Sequence, residues 1–487
     1  MNKPTRVHAF TDDALADHDA VALAALIRSG ELSVQEVEAA AIARIQHVDP
    51  FLAATAYTAY ATPRRSSNTE APLYGVPTLV KDNTDVDGMP TNYGTDAFHA
   101  KPAARTGRYA QQLMGTGLTV LGKSRTPEFG FNATSEFRSA PPIRNPWNTT
   151  RSIGASSGGA AALVATGALP IAHANDGGGS IRIPAAAAGL IGLKPSRGRH
   201  RDGELARTMP INIVSEGVLT RTVRDTAAYI AAAEGYWRNP RLAPIGLVEG
   251  PARRRLRVGL LLTSVTDAVV DEQTRNAVEH TARLLEAQGH VVEPISMPAA
   301  DDFGTDFITY WTLLAGVIGG AGRFMFDRSF DTTLLDGLTK GLRRQFTRGG
   351  WVKVPGAVRR LRRAAYIYAR AFDRHELIVS PVLAHVPPPL GHIGPEVPYD
   401  ELLNRLQQYI AFTPLQNIAG TPALSLPMGM AEEGVPIGVH LAAAHGDERV
   451  LLEVAFALEE QTAWPSLRPS AGECLINGGS DDQGESQ

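Results

Sequence analysis

A run of glycines that ends in a serine is the segment of this 487-residue chain whose residue types best suit chemistry. Residues 175–184 read Asn-Asp-Gly-Gly-Gly-Ser-Ile-Arg-Ile-Pro. Because glycine lets other groups approach the backbone closely, Gly177, Gly178 and Gly179 would present bare N–H groups beside the Ser180 hydroxyl. Acyl transfer needs this combination, since the hydroxyl attacks a carbonyl carbon and the N–H groups stabilise the resulting oxyanion. A turn without a catalytic role is the alternative for an isolated glycine run.

A hydrolytic serine also needs a base, and the chain offers two arrangements. Residues 154–158, Gly-Ala-Ser-Ser-Gly, match the G-x-S-x-G elbow of α/β-hydrolases, but the polar residues before them do not form the buried strand that this elbow follows. The second arrangement places Lys81 at the end of an apolar strand and Ser156 at the start of a small-residue helix. A buried lysine loses the solvation of its charge, so its pKa falls and the neutral amine becomes a base. An ion pair between Lys81 and Asp82 is the alternative without chemistry.

These residues resemble the amidase signature family. The separations of 75 positions from Lys81 to Ser156 and 24 from Ser156 to Ser180 are similar to those of the family's Lys–Ser–Ser triad. Ordered matches span most of the chain apart from residues 240–375. The matching segments are residues 75–82, 122–130, 145–147, 154–159, 176–184, 192–196, 420–423 and 434–439.

The resemblance implies a role for each residue of the triad. Ser180 would be the nucleophile, and Lys81, neutral in the resting state, would be the base. Ser156 would relay the proton between them, with a cis peptide bond before it. His173 is interpreted as a packed neighbour of the loop and not as a catalyst.

The resemblance also implies which residues surround the triad. The oxyanion hole would consist of backbone N–H groups of Gly177, Gly178, Gly179 and Ser180. The residues expected to support this loop without taking part in the reaction are Ser157, Asp176 and Arg182.

Substrate choice is expected to come from the glycine run and from a helical region at about 300–376. Many family members have a bulkier residue at the position of Gly177, and the local sequence looks like a subset that includes 6-aminohexanoate cyclic dimer hydrolases and aryl acylamidases. Aromatic residues of the helical region, Tyr310 and Trp311 among them, would line an apolar pocket for an apolar acyl group or an aromatic amine. Plain core packing is the alternative for these aromatic residues.

Alternating strands and helices predict an α/β fold, and the resemblance implies a large mixed, twisted β-sheet covered by helices on both faces. We expect one amidase signature domain over residues 1–470, with its core at about 70–240 and 377–460. The tail at 471–487 is rich in Gly, Ser and Asp and is expected to be disordered.

Composition limits the classes of function. The net charge is −3, and the single cysteine, Cys474, allows neither an intrachain disulfide nor a cysteine metal cluster. We therefore expect a cytoplasmic enzyme with a small-molecule amide substrate, without a cofactor or metal, and without a nucleic-acid or membrane partner; a homodimer is compatible with this expectation. Between residues 340 and 363 nine Lys or Arg and no acid occur, which we interpret as a solvated helical face.

Three hypotheses about function remain open at this point. The first is a stand-alone hydrolase of carboxylic amides, with esters or carbamates as alternative substrates of the same triad. The second is an amidotransferase subunit, in which the triad releases ammonia within a complex. The third is a scaffold that binds a ligand without catalysis, against which the presence of all three triad residues argues.

Overall fold

The computed structural model describes residues 5–266, 268–299 and 302–469, so the predicted disordered tail at 471–487 lies outside the described residues. The helices are α1 (Ala20–Ser29), α2 (Val34–Leu52), α3 (Arg108–Gly115), α4 (Gly158–Ala165), α5 (Arg182–Ala188), α6 (Val223–Tyr236), α7 (Glu272–Ala287), α8 (Phe303–Met325), α9 (Gly337–Thr347), α10 (Val354–Ala369), α11 (Tyr399–Tyr409), α12 (Pro414–Ala419) and α13 (Glu448–Gln461). The strands are β1 (Thr55–Thr58), β2 (Pro77–Lys81), β3 (Thr119–Ser124), β4 (Arg144–Asn145), β5 (Asn148–Ser152), β6 (Ile171–Asp176), β7 (Ile191–Lys194), β8 (Ser215–Thr220), β9 (Arg257–Leu260), β10 (Val291–Pro294), β11 (Leu377–Pro381), β12 (Ala423–Met430) and β13 (Pro436–Ala442).

The predicted mixed α/β architecture is confirmed. Eight strands form one sheet in the order β10-β9-β11-β13-β12-β7-β8-β6, with parallel pairing from β10 to β11 and antiparallel pairing elsewhere. Helix α5 packs against β7, β12 and β13, and α7 packs against β10, β11, β12 and β13. Two smaller sheets, β1-β3-β2 and β4-β5, flank the large one.

Local sequence signals account for several of these elements. The first two helices are separate, because Gly30 ends α1 in the left-handed region with φ of 79°. At the start of α2, the Ser33 hydroxyl accepts from the Glu36 N–H and the Glu36 carboxylate accepts from the Ser33 N–H, which forms a capping box. Strands β12 and β13 pair antiparallel as a hairpin.

The site lies where two of the sheets meet. Strand β2 of the three-stranded sheet packs against β6, the edge strand of the large sheet. The Lys81 N–H at the end of β2 donates to Nδ1 of His173 in β6, over 3.1 Å. Strand β2 ends at Lys81 and β6 ends at Asp176. Both segments of the site therefore begin at the ends of buried strands.

The predicted helical region at 300–376 contains α8, α9 and α10, and α8 packs against both of the other helices. The basic stretch lies on α9, α10 and the turn between them. Arg360 of this stretch pairs with Asp302 and Asp306, while Arg359 and Arg363 are exposed. Within the described residues, every helix is too short or too polar to cross a membrane.

Candidate active site

The amine of Lys81 is completely buried and lies among hydroxyl and amide oxygens. Its Nζ atom is 2.7 Å from Ser156 Oγ, 2.9 Å from Ser157 Oγ and 2.8 Å from Asn175 Oδ1. The Ser157 hydroxyl donates to the backbone oxygen of Asn175, over 3.3 Å, so its oxygen is free to accept from the amine. The backbone oxygen of Asn175 lies 3.4 Å from Nζ, so four oxygens surround the amine, and Ser156 Oγ is the nearest of them.

Burial makes this lysine unusually acidic. Loss of solvation lowers the pKa of Lys81 to about 7, although the carboxylates of Glu216 and Asp176 favour the charged form. The alternative ion pair with Asp82 does not form, because the Asp82 carboxylate accepts from the Asn92 N–H. Near neutral pH a substantial share of Lys81 is thus the neutral amine that a base requires.

Ser156 contacts Lys81 through its hydroxyl and Ser180 through its backbone N–H. The backbone N–H of Ser156 points to Ser180 Oγ at 3.4 Å, and the two hydroxyls form no hydrogen bond with each other. The expectation of a cis peptide bond before Ser156 is wrong: this bond is trans, as is every peptide bond in the part of the chain that the structure describes. The trans form is the lower-energy one for a residue other than proline.

The glycine loop is shaped by the carboxylate of Asp176. This carboxylate accepts from the N–H groups of Gly179, at 2.7 Å, and Ile181, at 3.2 Å. The Gly179 N–H, expected in the oxyanion hole, is therefore already engaged. The N–H groups of Gly178 and Ser180 form no hydrogen bond within the described part of the chain, so they remain available to an oxyanion.

Asp176 and Arg182 form a completely buried ion pair behind the loop. The Arg182 guanidinium donates to both carboxylate oxygens, at 2.8 and 2.9 Å, and to the Thr413 carbonyl and the Asn417 side chain. Burial opposes ionisation of Asp176, yet the Arg182 charge holds the pKa of that carboxyl well below its usual range. The pair ties the loop to α12 and touches none of the triad side chains.

His173 is held by structural contacts. Its Nδ1 accepts from the Lys81 N–H, so the neutral ring carries its proton on Nε2, which donates to Glu216 over 3.0 Å. Burial lowers the pKa of His173 against the effect of Glu216. Both ring nitrogens are thus occupied, and neither faces Ser180.

An apolar cavity of about 800 Å³, including its open mouth, lies beside Ser180. Trp311 and Phe307 line it, and both rings reach within about 3.5 Å of where a side chain at Gly178 would begin. The structure does not bring Tyr310 to this cavity. The Tyr310 hydroxyl donates to the Ile211 carbonyl, at 2.6 Å, and the residue is buried in the core.

A second cavity of about 1320 Å³ lies on the other side of Phe131, which lines both. Asn83, Asn175 and Val214 are among its lining residues. A side chain at Gly177 would begin 3.6 Å from Val214, an ordinary contact distance. A side chain at Gly177 would therefore point toward Val214 and the second cavity, and Gly177 is not among the residues that line the cavity beside Ser180.

Sequence reasoning missed Asn175, which contacts the Lys81 amine, and Asn83, whose side chain bonds that of Asn175. Asn175 Oδ1 accepts from Lys81, and the side-chain amides of Asn175 and Asn83 pair reciprocally, each at 3.2 Å. The position of Asn175, directly before Asp176, was the only available signal. Within the described residues, no three or more His, Cys, Asp or Glu side chains are grouped to hold a metal ion.

Comparison with known proteins agrees with this geometry. The sequence model of the family described as Amidase matches residues 33–452. The protein named "Putative amidase AmiC" of Mycobacterium tuberculosis, strain H37Rv, is 46% identical over 468 residues, which cover 95% of this chain and 98% of that protein.

Two solved structures are similar over almost the whole chain. The structure of 6-aminohexanoate cyclic dimer hydrolase has a TM-score of 0.80 at 29% identity, covering 93% of this chain and 98% of that one. A bacterial aryl acylamidase of the amidase signature enzymes has a TM-score of 0.78 at 26% identity, covering 92% of this chain and 96% of that one. The fold therefore follows that of amide hydrolases from end to end of the compared region.

Proposed function

This chain belongs to the amidase signature family, and from that membership we propose that it hydrolyses carboxylic amides through an acyl-enzyme on Ser180. Family membership confirms the resemblance found in the sequence and makes the chain a hydrolase of carbon–nitrogen bonds other than peptide bonds. The proposal adds the nucleophile, the base and the class of amide.

The position of the Lys81 amine carries this proposal. A fully buried lysine with a pKa of about 7, 2.7 Å from a serine hydroxyl, is arranged as a base. In the first step Ser156 gives its proton to Lys81 and takes the proton of Ser180. The Ser180 oxygen then attacks the amide carbon. This transfer requires the hydroxyls of Ser156 and Ser180 to reach hydrogen-bond distance when substrate binds, as catalytic contacts commonly do.

The second half of the reaction returns the protons. The tetrahedral oxyanion accepts from the N–H groups of Gly178 and Ser180, with Gly177 as a third donor. When the C–N bond breaks, the proton held by Lys81 passes through Ser156 to the leaving nitrogen, which departs as the amine. Water then attacks the Ser180 ester, with the same relay accepting its proton, and releases the carboxylic acid.

For the substrate we propose an apolar, cyclic or aryl amide. The lining of the cavity beside Ser180 supports this, since Phe307, Trp311 and Leu342 give it an apolar wall. The names of the two similar structures point to the same class, as one relative acts on a cyclic dimer and the other on aryl amides. Tyr310 is not part of this proposal, because its hydroxyl is held in the core.

A substrate panel tests the function. Linear amides, cyclic amides, anilides, esters and carbamates are offered to the wild type, Ser180→Ala and Lys81→Ala. We expect turnover of apolar amides or anilides by the wild type and loss of at least a thousandfold in both variants. Glutaminase activity, or copurification of partner subunits, would instead favour the amidotransferase alternative. Faster turnover of esters or carbamates than of amides would move the assignment to those bonds.

A further inference from the structure

One polar side chain of the cavity beside Ser180 has no role in the reaction described so far. Four Ser, Thr, Asn or Gln residues line this cavity: Ser180, Asn132, Thr266 and Gln407. Asn132 is satisfied, because its amide nitrogen donates to the Ile393 carbonyl and its oxygen accepts from the Ala133 N–H. Thr266 donates its hydroxyl to the backbone oxygen of Gln407.

The side-chain amide of Gln407 forms no hydrogen bond with any described residue, and the side chain is half-buried. Its backbone, in contrast, is fixed. Gln407 lies in the last turn of α11, its carbonyl accepts from Thr266 over 2.8 Å, and Leu403 and Leu406 of the same helix also line the cavity. The amide is therefore presented at a defined place among apolar walls.

The chemistry of the lining defines what this amide can bind. A glutamine side chain offers two donors and one acceptor group without charge. None of the residues that line this cavity is a Lys, Arg, His, Asp or Glu, so a charged group would lose its hydration there without a counter-ion. A neutral group that both donates and accepts, such as a second amide, can accept a hydrogen bond from the Gln407 side-chain nitrogen or donate one to its oxygen.

We propose that Gln407 selects substrates that carry a second neutral amide, separated by an apolar spacer from the amide that Ser180 attacks. This inference rests on the proposed function, since it names the substrate class of the same site. Gln407 binds the distal group and takes no part in bond cleavage. The apolar spacer between the two amides packs against the apolar residues that line the cavity.

Matched substrate pairs test the proposal. Each pair shares the scissile anilide and a spacer of three to seven methylenes, and differs only in a distal secondary amide or its all-methylene replacement. We expect the wild type to favour the distal amide roughly tenfold in kcat/KM at the best spacer length, as one hydrogen bond supplies. In Gln407→Leu the ratio should fall to about one. Gln408→Leu, the same change at the exposed neighbouring position, should keep the wild-type ratio.

A ratio near one in the wild type at every spacer length, or an unchanged ratio in Gln407→Leu, would overturn the proposal. Binding to Ser180→Ala, measured by calorimetry, separates this failure from failure of the proposed function. If the wild type cleaves no substrate but Ser180→Ala binds the distal amide more tightly than its replacement, the function is wrong and the Gln407 contact stands. Equal binding of the two compounds overturns the contact.

Discussion

At the scale of single residues, the proposed base, Lys81, is the feature that most distinguishes this site from a histidine-dependent hydrolase. The roles of Lys81, Ser156 and Ser180 were implied by the resemblance to the amidase signature family, and they stay a prediction. The contact from Asn175 to Lys81 could not be predicted, because it depends on which face of β6 the side chain takes. The engagement of the Gly179 N–H by Asp176 was equally hidden, since it depends on the path of the loop.

The pH dependence of the reaction follows from the burial of Lys81. Because the neutral amine is the active form and its pKa is lowered to about 7, kcat/KM should rise with pH through an apparent pKa near 7 and then level off. Rates of the wild type with an uncharged anilide between pH 5 and 10 measure this profile. An apparent pKa near 10.4 in this profile, the value for a solvated lysine, would contradict the buried base.

Substitutions of Asn175 test how the surroundings of the Lys81 amine set its pKa. Asn175→Asp places a carboxylate where Asn175 Oδ1 now lies, 2.8 Å from Lys81 Nζ. The protonated lysine then gains an ion pair, so the apparent pKa of the rate profile should rise. Asn175→Ala removes an acceptor without adding charge and should leave this apparent pKa unchanged or lower it. The same direction of shift in both variants would mean that Asn175 acts through the loop and not on the amine.

At the scale of elements, the glycine loop between β6 and α5 is the part that joins backbone geometry to chemistry. The glycine run itself is evident in the sequence, and it lies between the end of β6 and the start of α5. The side to which each glycine faces was not predictable, because it depends on packing against Phe307, Trp311 and Val214. Tyr310 shows the same limit: it lies on the predicted helix, but its hydroxyl turns to Ile211 and away from the cavity.

The three glycines should therefore differ sharply on substitution. Gly179 has φ of 135°, and a side chain there would begin 2.5 Å from both Ile183 and Thr413, so Gly179→Ala should reduce kcat at least a hundredfold. Gly177→Ala meets only Val214, at 3.6 Å, and should stay within about threefold of the wild type. Steady-state rates, with circular dichroism to confirm folding, measure both.

Gly177→Val extends this comparison to substrate range. A side chain at Gly177 would point toward the second cavity, so we expect the valine to alter selectivity for the substrate part that enters there. An unchanged substrate range in Gly177→Val would show that this glycine has no part in specificity. Equal losses in Gly177→Ala and Gly179→Ala would contradict the account of the loop.

At the scale of the whole molecule, the site depends on the contact between two edge strands, β2 of the three-stranded sheet and β6 of the eight-stranded sheet. The α/β class was predictable from alternating strands and helices, and the mixed sheet was implied by the family resemblance. The assembly of β1, β2 and β3 into a separate sheet was not predictable, because strand pairing depends on contacts between residues far apart in the chain. This arrangement buries Lys81 completely, at a cost to stability that the fold must offset.

That cost should be visible in the pH dependence of unfolding. Folded Lys81 has a pKa of about 7 and an unfolded lysine one of about 10.4, so between these values the unfolded chain binds more protons. The free energy of unfolding of the wild type, relative to Lys81→Met, should therefore increase by up to about 1.4 kcal/mol per pH unit from pH 7 to 10. Urea unfolding of both proteins at pH 7, 8 and 9 measures the difference. A constant difference would show that Lys81 keeps an ordinary pKa when folded.

The acyl-enzyme is the central claim, and trapping it is its most direct test. Wild-type protein is mixed with an activated anilide, quenched in acid within the first turnovers, digested and examined by mass spectrometry. We predict the mass of the acyl group on Ser180, its absence in Ser180→Ala, and much slower accumulation in Lys81→Ala than in His173→Ala. An acyl group on Ser156, or turnover of the anilide by Ser180→Ala at the wild-type rate, would contradict the account.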